Sequence, residues 1–190
     1  TEERLCNDIE RVREYFGVER LHLVGQSMGS WLALVYHARC PQRVSSLVLT
    51  SGSLGMTRAP DEKRSRFLNL REEPLLGGIE PYENAGNVLP VILSEAADDT
   101  GRAAVLESLC ALRKDSYLKS LRCYTNPVSV FDTAKVSVPV TMIAAALDPL
   151  APVEEMAAVA AEIPNAQFHV ISGVGHIANI ESPGAFNALI

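Results

Sequence analysis

With 190 residues, 47% of them apolar and 21% charged, the chain has material for one compact core and too little for two full domains. A formal net charge of −6, with no run of lysine or arginine, excludes a phosphate-tracking surface, so no nucleic-acid partner is expected. No apolar run reaches the length of a membrane span and no signal-like segment opens the chain, so the expectation is a cytoplasmic protein with no membrane partner.

Residues 2–16 place Leu5, Ile9, Val12 and Phe16 on one face at helical spacing, with Glu2 and Glu3 in the first turn and Gly17 just past the end. This predicts an amphipathic helix. It delivers the chain to Leu21, Leu23 and Val24, a short strand that breaks into Gly25-Gln26-Ser27-Met28-Gly29. A serine set between two glycines at the end of a strand predicts a tight strand-to-helix bend that lifts Oγ above the strand end. On this reading Gly25 and Gly29 are small because a Cβ at either would meet a neighbouring strand or helix. The bend also aims the Met28 amide at the place where an oxyanion would form.

Trp31, Leu32, Leu34, Val35 and Tyr36 continue as a helix that Pro41 ends. Residues 44–49 form an apolar, β-branched run that reads as a second strand buried on both faces. A helix between two such strands predicts a parallel βαβ unit.

From residue 54 to residue 133 the character changes. Pro60, Pro74, Gly77, Gly78, Pro81 and Pro90 punctuate short helical stretches, the better candidates being 61–70, 102–112 and 116–124. The segment reads as an inserted helical lid, which divides the chain into 1–53 (core with the serine), 54–133 (lid) and 134–190 (core with the remaining loops). Its leucines, Leu68, Leu70, Leu75, Leu76, Leu89 and Leu93 with Val91, fit packing of the lid onto the sheet better than a substrate pocket.

Residues 140–146 give a third buried strand that ends at Asp148, 153–162 an alanine-rich helix, 167–171 a fourth strand, and Gly173-Val174-Gly175-His176 a glycine-rich loop. A last helix is expected to open at Pro183 and to run to the final residue, Ile190. In a parallel sheet the carboxyl ends of the strands share one edge, so Ser27, Asp148 and His176 should converge there. An alcohol at neutral pH holds its proton. Ser27 therefore needs a base, and the base needs an anion to fix its tautomer. His176 and Asp148 suit those roles, in the chain order serine, acid, histidine. His22 sits mid-strand and reads as a satisfied core residue; His37 and His169 lie on a helix and a strand. Asp132, the competing acid, precedes the third strand instead of following it. Cys6, Cys40, Cys110 and Cys123 show neither C-x-x-C pairing nor histidine spacing, so no disulfide framework, zinc site or other metal is expected.

Gly25 to Gly29, Arg43-Val44 entering the second strand, Leu147 to Pro152 around the acid, and Gly175-His176 through Glu181 and Pro183 resemble the α/β-hydrolase superfamily, in particular the lid-bearing 3-oxoadipate enol-lactonases, esterases and cofactor-free haloperoxidases. The resemblance implies an α/β fold and acyl transfer to water on a small carboxylic ester or lactone, with no metal or organic cofactor. It also implies eight strands and a further oxyanion donor in an early loop. The present chain matches the last four strands, which implies a fragment with an open edge at the first strand and a tendency to aggregate. Ser27 excludes the dehalogenase and epoxide-hydrolase branches, whose nucleophile is an aspartate. A receptor-like binding module, a haloperoxidase and a C–C hydrolase using the same triad remain open, as does the oligomeric state.

Overall fold

A computed structural model of the chain describes residues 1–130 and 132–190. Four parallel strands, β1 (Leu21–Gln26), β2 (Val44–Thr50), β3 (Val140–Ala145) and β4 (Ala166–Ile171), lie side by side in sequence order. β1 forms one edge of the sheet, where Val24 is exposed. The registers Gln26 beside Thr50 and Thr50 beside Ile143 bring the carboxyl ends of neighbouring strands level, which is where the loops of interest begin.

Alternation along the strands sorts the core onto two faces. Leu47, Leu49, Val140, Met142 and Ala144 share one cluster with Trp31, Leu34 and Val35 of α2 (Met28–Arg39) and Met156 and Ala160 of α7 (Val153–Glu162). Val48, Ile143, Ala145 and Ile171 face the other way, onto Val174, Ala178 and Phe186, the last two from the short helices α8 (Ala178–Glu181) and α9 (Pro183–Asn187). α1 (Glu2–Tyr15) packs Leu5 and Ile9 against the first cluster, whereas Val12 and Phe16, expected on the same buried face, are exposed. Arg13 is the buried member of that last turn, held by Glu10 and the Val18 carbonyl.

Between β2 and β3 stand four helices: α3 (Asp61–Leu76), α4 (Pro81–Ile92), α5 (Asp99–Cys110) and α6 (Lys114–Thr125). α4 is absent from the sequence reading and α3 runs past its expected end, because proline was read as a breaker. Pro81 instead occupies the first turn of α4, where its missing N–H costs nothing, inside a reciprocal Glu80/Glu83 capping box. Pro74 and Pro90 sit close to the carboxyl ends of α3 and α4.

The helical segment meets the sheet layer at discrete points. Tyr124 of α6 stands edge-on to Trp31, with centroids 5.4 Å apart, and Phe67 of α3 lies 5.8 Å from Tyr124. Gly55, at φ +59°, threads beneath them, and a Cβ there would fall 2.7 Å from Tyr124 and 2.9 Å from Trp31. At the base of the segment Arg58 forms a fork with Glu162 of α7 at 2.7 and 2.8 Å, and Thr133 donates to the same carboxylate at 2.6 Å. These bonds hold the Glu162 carboxyl down to about 2, Arg58 contributing most. The cysteines are free thiols, and burial pushes Cys6 up to about 11. Among the described residues no helix is long and apolar enough to cross a membrane.

Candidate active site

Ser27 lies at the junction of β1 and α2 with φ 54° and ψ −116°, a conformation that L-residues rarely adopt. Its surroundings over-determine it. The Ser27 amide donates to the Thr50 carbonyl at 2.9 Å, and the Ser30 amide donates back to the Ser27 carbonyl at 3.0 Å. Buried Ser30 ties the turn to both strands, donating through Oγ to the Gly25 carbonyl at 2.7 Å and accepting from the Thr50 amide at 3.1 Å.

Gly25 is required here, since a Cβ would fall 2.4 Å from the Gly29 carbonyl oxygen. Gly29 is not confined in the way expected from sequence, because nothing lies within 4 Å of a Cβ built there. A glycine that sequence reading passed over takes that role: a Cβ on Gly52 would fall 2.7 Å from the Ser27 carbonyl oxygen. Ser51 beside it, at φ 48°, buries a hydroxyl with no partner among the described residues. Met28 is the first residue of α2, so its amide has no acceptor within the helix and remains available to an anion.

Asp148 and His176 meet. Asp148 Oδ2 lies 2.8 Å from His176 Nδ1, and both residues are buried, at 6% and 5% exposure. The other carboxylate oxygen accepts the amides of Leu150 at 2.8 Å and Ala151 at 3.2 Å. Asp148 is thus a turn former and a histidine partner at once, one oxygen for each task. With Nδ1 donating to the carboxylate, Nε2 is left as the basic nitrogen. Gln26, next to Ser27, donates through Nε2 to the His176 carbonyl at 3.0 Å and so ties the histidine loop to the end of β1. Among the described residues no hydrogen bond joins Ser27 Oγ to the imidazole, a bond that often tightens only when substrate is present.

The other candidates lie elsewhere. His22 is exposed on β1, with Nδ1 2.7 Å from Ser46 Oγ, so it is not the core residue expected. His37 is buried on α2 and His169 lies in β4. Asp132 caps a 3₁₀ turn through the Ala134 amide and pairs with Lys135. No group of three His, Cys, Asp or Glu side chains able to hold a metal ion occurs among the described residues.

A family model described as the alpha/beta hydrolase fold matches residues 1–81. The structure of a thermophilic esterase from Thermogutta terrifontis superposes with a TM-score of 0.83 over 99% of this chain and 70% of that one, at 23% identity. This chain is an α/β-hydrolase-fold protein. Within that fold, a meta-cleavage product hydrolase from Pseudomonas fluorescens superposes with a TM-score of 0.76 at 21% identity, over all of this chain and 70% of that one. The chain is also similar to a 2-hydroxy-6-oxononadienedioate/2-hydroxy-6-oxononatrienedioate hydrolase of Cupriavidus pinatubonensis, 30% identical over 192 residues. That match takes in 96% of this chain and 64% of its relative, so the chain spans a little under two thirds of the relative's length.

Proposed function

We propose that this α/β-hydrolase-fold chain carries the reacting groups of a serine hydrolase, with Ser27 as nucleophile, His176 as base and Asp148 as its orienting anion. The observation that carries the reading is the buried 2.8 Å His176–Asp148 pair held beside the strained serine turn. In the first half-reaction His176 Nε2 takes the Ser27 proton while Oγ bonds to the carbonyl carbon of a small carboxylic ester or lactone. The developing oxyanion is met by the Met28 amide. Collapse breaks the bond to the leaving alkoxide, which takes the proton from the imidazolium and departs as the alcohol. Water then attacks the acyl-serine, again deprotonated by His176, and releases the acid. No metal or organic cofactor enters these steps.

A second reading, C–C bond hydrolysis, is supported by the 30% identity to a relative named as a hydrolase of 2-hydroxy-6-oxononadienedioate, a compound with a ketone and no ester bond to cut. The same triad would act on a ketone, and the leaving carbon would have to be protonated, so a substrate able to delocalise carbanion charge is required. Parallel assays with short-chain p-nitrophenyl esters, a γ-lactone and a vinylogous 1,5-diketone separate the two. Ester or lactone turnover that vanishes in Ser27→Ala supports the first; diketone cleavage exceeding ester turnover favours the second. Saturable binding without turnover, surviving Ser27→Ala, replaces both with a binding module.

A further inference from the structure

The histidine loop is also held by a residue with no part in the chemistry above. Glu181, at the end of α8, is 8% exposed and faces no cation among its hydrogen-bond partners. Its Oε2 accepts the Gly175 amide at 2.9 Å, one residue before His176. The same oxygen accepts the Ser94 amide at 3.0 Å and the Ser94 hydroxyl, two residues past the carboxyl-terminal end of α4. Ser94 Oγ also lies 3.2 Å from the Gly173 carbonyl, to which it is the alternative donor. Glu181 Oε1 is buried without a partner among the described residues.

The three elements close on one another with no spare room. A Cβ on Gly175 would fall 3.0 Å from Glu181 Oε1, 3.0 Å from the Ser94 amide nitrogen and 3.2 Å from the Ile92 carbonyl oxygen. Alongside, Leu93, Ala97 and Val105 of the helical segment pack with Ile177 and Ile180, so apolar contact flanks the polar node. A Cβ on Gly101 of α5 would meet Ile180 at 2.8 Å, which shows how closely that helix is seated.

We infer that Glu181 is a positioning residue for His176, and that through Ser94 it makes the placement of the histidine depend on the seating of the helical segment. This rests on the reading of His176 as the base. A carboxylate is suited to the post, because one oxygen accepts three donors from two separate segments at charge-assisted strength. With the node formed, the His176 backbone is fixed by Glu181 through Gly175 and by Gln26 at its own carbonyl, while Asp148 sets the ring. With the segment lifted, Glu181 loses the two Ser94 donors, and the Gly175 bond alone is left to hold its carboxylate against the histidine loop.

The test measures, per folded molecule, the second-order rate of Ser27 modification by a fluorophosphonate, together with the far-downfield Nδ1 proton of His176 by NMR. Parent, Glu181→Ala, Glu181→Gln and Ser94→Ala are compared, each with a thermal melt. Glu181→Ala should slow modification by about 10²-fold, the scale of a misplaced catalytic group, and should shift or broaden the Nδ1 resonance. Glu181→Gln, which keeps an acceptor oxygen, should recover part of the rate, and Ser94→Ala should show a smaller loss in the same direction. Variants that melt earlier but keep the parent rate per folded molecule and an unchanged Nδ1 resonance would overturn the inference and leave Glu181 a structural residue. If the parent itself is not modified, the acyl-transfer reading fails, and the Nδ1 resonance alone decides the positioning role.

Discussion

The sheet layer and the helical segment between β2 and β3 are held together in different ways. The central strands β2 and β3 bury side chains on both faces, and Leu49, Met142 and Ile143 are wholly enclosed. Stability there is spread over many contacts, so the loops at the carboxyl edge inherit fixed positions. The helical segment meets the sheet layer through separate local contacts, among them the Trp31–Tyr124–Phe67 row, the Arg58–Glu162–Thr133 fork, and the Ser94–Glu181 node with the apolar packing of Leu93, Ala97 and Val105 on Ile177 and Ile180 beside it. A distributed core suits chemistry that tolerates little displacement, and separate local fastenings suit an element whose seating can change.

Four changes would break or sharpen that contrast. The largest concerns the site on the rigid side. Asp148→Asn keeps the Oδ1 acceptor for Leu150 and Ala151 but faces Nδ1 with an amide, which favours the wrong tautomer. Turnover should fall by about 10⁴-fold with little change in the melting temperature. Next, Met142→Ala opens a cavity in the core that Met142 shares with Leu47, Leu49 and Met156 and should cost about 2–5 kcal/mol in chemical denaturation. Third, Gly55→Ala should unseat the aromatic row, because the added methyl has nowhere to go at 2.7 Å from Tyr124 and its φ of +59° disfavours a side chain. Limited proteolysis should then cut the helical segment while the sheet layer stays protected; equal protection of both would mean that the row is no fastening.

The smallest effect is a pH dependence. The folded Glu162 carboxyl is held at about 2, below its ordinary 4.5. A depressed carboxyl contributes stability that is present above the unfolded value and lost as pH falls through the folded one. The difference in stability between the parent and Glu162→Gln should therefore be full at neutral pH and close between about pH 4.5 and 2. Its size stays modest, since the Arg58 and Glu162 side chains are 51% and 40% exposed and solvent screens them. A difference independent of pH would assign the role of Glu162 to packing.

The same division explains what the sequence discloses. β1 to β4 and α7 are legible because short runs rich in apolar and β-branched residues, bounded by turn residues, and an alanine-rich stretch leave little choice of structure. Ser27, Asp148 and His176 are legible as candidates because each follows a strand, and parallel strands bring their loops to one edge. The acid and histidine do meet, as that argument requires. The helical segment is less legible, since Pro81 at the first turn of α4 carries the same letter as a helix breaker and only the Glu80/Glu83 spacing hints otherwise. His22 was misassigned because β1 lies at the edge of the sheet, where a mid-strand side chain reaches solvent. The Glu181 node joins residues 87 apart, and Gly52 is small for the sake of Ser27. Neither follows a local pattern. Glu181 is visible in the sequence only as part of the stretch from Gly175-His176 to Pro183 that carries the family resemblance, with nothing beside it to say what it holds.

The central claim is that Ser27 and His176 form a working nucleophile and base, and intact-mass analysis after exposure to a fluorophosphonate tests it most directly. The account predicts a single adduct on the parent and none on Ser27→Ala or His176→Ala, with all three chains folded by far-UV circular dichroism. An adduct that survives Ser27→Ala, or a folded parent that takes up no probe, would contradict it.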